Sequence, residues 1–137
     1  MKLVLNEADS KEARASLANA LKRGYILHTV DIALAEGLNV IWKHTNAIKD
    51  LKAEEAVFAV EDLVRVYDGL RIVTAREVAE ETARFALTHN VTVYDSLYVA
   101  ATQKLNGTLY TADQKLRNTA SEVINVKLLK AKKVRPP

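Results

Sequence analysis

The sequence contains no cysteine, which excludes disulfides, thiolate metal sites and cysteine nucleophiles and suits a reducing compartment. No apolar stretch approaches the length needed to span a bilayer. Acids follow Met1 too soon for a signal peptide, as MKLVLNEADS reads, so a cytoplasmic protein is expected. Internal repeats, low-complexity tracts and linkers are lacking too, and 137 residues fit one domain of ordinary size. What the chain has in quantity is apolar material: 49% of its residues are hydrophobic, enough for a core without covalent staples.

The net charge is only +3, but its distribution is uneven. The last eleven residues, KLLKAKKVRPP, hold Lys127, Lys130, Lys132, Lys133 and Arg135. We read residues 1–126 as the domain and 127–137 as a basic tail. Such a tail suits a solvated terminus, and it also suits phosphate binding through counterion release.

Apolar periodicity and turn signals predict alternating helices and short strands. A box from Asp9 to Glu12 opens a helix that runs to about Arg23 and stops at Gly24. Tyr25 to Leu27 reads as a short strand. Thr29 or Asp31 opens the next helix, ending near Asn46. A second long helix covers Lys52 to Tyr67, and Leu70 to Val73 is rich in β-formers. Thr74 to Glu77 is a further capping box, opening a helix to about His89. Val91 to Val93 reads as a strand, Tyr94 to Leu105 as a helix and Thr108 to Tyr110 as a strand. Ala112 to Ala120 follows as a helix, and Val123 to Val126 as an edge strand. Strands separated by helices argue for an α/β fold with a parallel sheet.

The chemistry concentrates between Val91 and Asp113. Asp95 and Asp113 each fall at the start of a helix expected to follow a strand. A helix of about eleven residues travels roughly 16 Å, and the return strand covers a similar distance back. Right-handed crossover then brings both aspartates to the carboxyl edge of one sheet, where open α/β folds place ligands. Either aspartate alone reads more simply as a helix cap. Two on one edge repel and call for a cation.

The string VTVYDSLYVAATQKLNGTLYTADQKL resembles the second half of VapC-type PIN domains. Its matching features are Tyr94-Asp95, an alanine-rich helix, a strand, and Thr111-Ala-Asp113 leading to Leu116. HTVDIALAEGLNVIWKH is similar to the family's second motif, mapping onto Glu36, Asn39 and Lys43. The resemblance implies a metal-dependent ribonuclease of toxin type. In it Asp95, Glu36 and Asp113 hold Mg²⁺ or Mn²⁺, and the Thr111 hydroxyl orients a carboxylate or a phosphate. It further implies an RNA substrate, a small VapB-like antitoxin and a homodimer. A PIN-like module that binds RNA or protein without catalysis is the alternative.

The family's first motif, a strand ending in aspartate, is not intact. In one register Lys2 to Leu5 is that strand and Asn6 stands where the aspartate belongs. In the other, LVLNEADSKEA is a helix end and the loop beyond it, with the first strand upstream of Met1. We prefer the second, because Asn6 to Glu36 looks short for a strand, two helices and a connecting strand. Either way three acids remain of four. His28 and His44 read as surface or helix-end residues. Trp42 reads as core or dimer packing, and Val57, Phe58 and Val60 as the centre of a twofold contact.

Overall fold

A computed structural model describes residues 2–6 and 11–129. Its strands are β1 (Lys2–Asn6), β2 (Ile26–Val30), β3 (Arg71–Val73), β4 (Thr108–Thr111) and β5 (Asn125–Leu128). All pair parallel, in the order β3-β2-β1-β4-β5. The helices are α1 (Lys11–Lys22), α2 (Ala33–Trp42), α3 (Ala53–Asp68), α4 (Ala79–His89), α5 (Val93–Leu105) and α6 (Gln114–Ala120). The expected α/β architecture is the observed one.

The N-terminal register we preferred is wrong. Lys2–Asn6 is the middle strand, with Leu3 opposite Leu27 on one side and Asn6 opposite Thr111 on the other. The apolar run Leu3-Val4-Leu5 suits a strand covered on both faces. The apparent shortage of chain disappears because a single helix, α1, makes the crossover from β1 to β2. Asn6 thus ends the central strand. The proposed cap of α1, Asp9, lies outside the described residues, as do residues 130–137 of the segment read as a tail, whose first residues, Lys127 and Leu128, belong to β5.

Other boundaries move for local reasons. Gly24 does end the first helical segment, at φ 85°, a left-handed conformation that glycine adopts without strain. The strand expected at Tyr25 to Leu27 instead runs from Ile26 to Val30. Neither Thr29 nor Asp31 therefore opens a helix. The Asp31 carboxylate accepts from Ala75 N at 3.1 and 3.2 Å, while its own N–H donates to Val73 O at 3.1 Å. Asp31 thereby ties the ends of β2 and β3 together. After α2 the chain passes through a π-helical turn, Lys43–Ala47. The Thr74–Glu77 box forms, with Thr74 N donating to Glu77 at 2.7 Å and Glu77 N to the Thr74 hydroxyl at 3.2 Å. It closes a turn, and α4 starts only at Ala79.

Val91–Val93 is not a strand. Asn90 caps α4 in a left-handed conformation, and Thr92 caps α5 by accepting from Asp95 N at 3.3 Å. Two helices meet there with one residue between the caps. The edge strand expected at Val123 to Val126 forms two residues later, as β5.

One face of the sheet carries the larger core, in which Val30, Val73 and Leu109 meet Phe85, Leu97, Val99 and Leu116. Burying each such side chain contributes roughly 1.5–3 kcal/mol. A smaller cluster of Ala20, Tyr110 and Leu129 covers the other face. Helix α5 is buried from Ser96 to Thr102 without a break, and this fixes its N-terminus against the sheet. Among the described residues no helix is long and apolar enough to cross a membrane.

Candidate active site

Asp95 occupies the first turn of α5, three residues after the cap Thr92. Because α5 leads directly into β4, its first turn stands at the carboxyl edge of the sheet. Asp113 follows β4 at that same edge and caps α6, its Oδ1 accepting from Leu116 N at 3.1 Å. The two aspartates reach one edge as anticipated, but Asp95 arrives there on a helix that no strand precedes.

Their fields overlap. The Asp95 carboxyl is half-buried, and its proton affinity is raised above the ordinary value of 3.8. Desolvation is the larger cause and the Asp113 charge the second, while a hydrogen bond with Thr92 opposes both. Such a partly desolvated acid pressed by a neighbouring charge is a common mark of a functional site.

Glu36 lies on the outward side of α2, yet it is drawn toward α5. The Tyr98 hydroxyl, one helical turn beyond Asp95, donates to Glu36 Oε1 at 2.6 Å. Thr111 is buried, and its Oγ1 accepts from Asp113 N at 3.1 Å, so it fixes the backbone that carries Asp113. Asn39 and Lys43 are exposed. Among the described residues no three acidic or histidine side chains form a group able to hold a metal ion. The donor chemistry nonetheless suits a hard cation that retains waters: carboxylate oxygens, one of them on an acid biased toward its protonated form by burial and, secondly, by its neighbour's charge.

The remaining candidates fall elsewhere. His28, expected at a surface or helix end, is buried in β2, because the strand extends further than its apolar letters suggested. His44 sits in the π-helical turn, with Nδ1 2.8 Å from Asp50 Oδ1. Trp42 is 56% exposed and so is no core residue. Sequence reasoning missed Thr92 and Tyr98. The first was detectable as the start of a T-x-x-D box ending at Asp95. The second was detectable as a polar-tipped side chain at i+3 from Asp95, on the same helix face.

The family model of the PIN domain matches residues 1–122. The chain is similar to ribonuclease VapC3 of Pyrobaculum aerophilum, at 35% identity over 114 residues, covering 83% of either protein. Among solved structures it resembles PAE2754 from Pyrobaculum aerophilum, with a TM-score of 0.70 and 17% identity over 91% of this chain and 89% of that one. It also resembles FitAB bound to an IR36 DNA fragment, with a TM-score of 0.64 and 17% identity over 98% of this chain and all of the other. The structural matches establish the fold, and the sequence matches establish kinship. On the family model and the relative at 35% identity, the chain belongs to the PIN-domain family and, within it, to the VapC type.

Proposed function

We propose that the chain is a metal-dependent endoribonuclease of toxin–antitoxin type, with Asp95, Glu36 and Asp113 as its acidic site. The convergence of Asp95, in the first turn of α5, and Asp113, capping α6, on one sheet edge carries this reading. Kinship with ribonuclease VapC3 supports RNA as the substrate. A Mg²⁺ or Mn²⁺ ion held there would supply an acidified water for attack on phosphorus. Asp95 and Asp113 would hold the ion and Glu36 would contribute from α2, while Thr111 keeps Asp113 in place. The VapC resemblance further supports a small VapB-like antitoxin and a homodimer. The cysteine-free composition supports work in the reducing cytoplasm.

Asn6 favours a second reading, a module that binds RNA or protein without cleaving. It ends the central strand, where the first motif of the family has aspartate. An amide is neutral and attracts a divalent cation less than a carboxylate does. Cleavage of single-stranded RNA, followed with and without Mn²⁺ in the wild-type chain and in Asp95→Asn, separates the two. Mn²⁺-dependent cleavage lost in Asp95→Asn supports the nuclease. RNA binding with no cleavage in either chain supports the module.

A further inference from the structure

Helix α2 carries Glu36, yet neither α2, the π-helical turn nor α3 contains a buried residue. The two helices pack on one another, closely enough at Gly37 that a Cβ there would stand 2.8 Å from Leu63 Cδ2. A glutamate on so exposed a hairpin has rotamer freedom that only a specific partner restricts. Tyr98 is its opposite. It is 3% exposed within the main core, on a helix buried over seven consecutive residues. Its hydroxyl reaches out of that core to Glu36 Oε1 at 2.6 Å, the length of a charge-assisted O–H···O⁻ bond.

From this contrast we propose that Tyr98 is a positioning residue for Glu36, holding the carboxylate of a loosely anchored hairpin over the α5 turn that bears Asp95. The proposal rests on the acidic-site reading above. The hydroxyl donates to Oε1, and a carboxylate accepting one hydrogen bond keeps acceptor capacity on both oxygens. Tyr98 sits three residues after Asp95, so one helix face presents an acid and the donor that aims a second acid beside it. The same bond links the hairpin to the α/β body. Displacing α2 therefore moves Glu36 away from Asp95, and fixing α2 assembles the site.

The test is a double-mutant cycle with Tyr98→Phe, which keeps the ring in the core, and Glu36→Gln, which leaves the tyrosine in place. Mn²⁺ binding is measured by calorimetry in all four chains, each first confirmed folded by thermal unfolding. Loss of a group that orients a ligand weakens metal affinity about 10–100-fold. Tyr98→Phe should do so in the chain with Glu36 and have no further effect in the Glu36→Gln background. An unchanged affinity, or the same loss in both backgrounds, overturns the proposal. If the chain with both residues intact binds no Mn²⁺, the metal reading fails, and amide exchange across residues 33–42 decides the positioning alone. Exchange accelerated by each single variant and no further by the pair upholds the link between Tyr98 and Glu36. Independent, additive effects or none overturn it.

Discussion

Asp95 is burdened in the folded protein by partial burial and by the Asp113 charge. Its folded-state proton affinity is therefore raised. Its stabilising contribution is full below the unfolded value near 3.8 and is lost as pH rises through the raised folded value. At neutral pH the metal-free protein carries the penalty of the ionised form. Asp95→Asn should then unfold at a higher temperature than wild type without metal, a gap that closes in acid. Saturating Mn²⁺ should raise the midpoint of the wild type and leave that of the variant unmoved. Scanning calorimetry at two pH values, with and without Mn²⁺, checks both directions. Asn6 calls for the opposite change. Asn6→Asp puts a carboxylate at the end of β1, opposite Thr111 in register, and should strengthen Mn²⁺ binding at least about tenfold, a gain of about 1.4 kcal/mol. Cleavage of single-stranded RNA should rise with it. Equal affinity in the two chains would mean that Asn6 does not stand in the site. That Asp95 and Asp113 share one sheet edge was legible because the helix leading into β4 sets it, although the strand expected before Asp95 is absent. The place of Asn6 was not, because Leu3-Val4-Leu5 suits a helix end as readily as a short buried strand. Only pairing with β2 and β4 decides it.

Helix termini supply most of the local geometry, and they account for both a misreading and a prediction. Val91-Thr92-Val93 is β-branched throughout and reads as a strand by propensity. That preference is weak for three residues beside a left-handed Asn90 and a Thr92 cap. Strand pairing gains nothing there, whereas the cap satisfies an otherwise orphaned N–H. The α4–α5 boundary is thus a junction of two helices, and the crossover into β4 starts from a cap. At α6 the cap is Asp113 itself, so its structural and chemical roles can be separated by substitution. Asparagine caps as well as aspartate but carries no charge. Asp113→Asn should keep thermal stability within a few tenths of a kcal/mol while weakening Mn²⁺ binding. Asp113→Ala should lose about 1 kcal/mol of stability in addition. Equal Mn²⁺ affinity in wild type and Asp113→Asn would confine Asp113 to capping. Denaturant titration and calorimetry together read both quantities.

For the whole molecule, the α/β class was legible from the rhythm of apolar runs and caps, because strands covered on both faces and helices with punctuated ends leave strong local marks. What lay outside the sequence was how the α2–α3 hairpin stands to the sheet. Its helices are apolar enough for a core, yet the fold buries none of their residues. Phe58 is 66% exposed, and Val57 and Val64, seven positions apart, lie on one stripe of α3, also in solvent. Large apolar side chains left this exposed on one helix are a candidate interaction surface. The family resemblance points to a second copy of the chain. A stable twofold contact removes about 1,200–2,000 Å² from water, and the open face of two helices of ten and sixteen residues is of the right order to provide it. Light scattering at micromolar concentration should therefore return twice the mass of the chain. Replacing Phe58 with lysine places an unpaired charge at the centre of the contact, where hot spots cluster, and should shift the protein to monomer. Its far-ultraviolet circular dichroism should be preserved, because Phe58 contributes to neither core cluster. A wild-type chain that is monomeric at that concentration, or a Phe58→Lys chain that still dimerises, would remove α3 as the twofold contact.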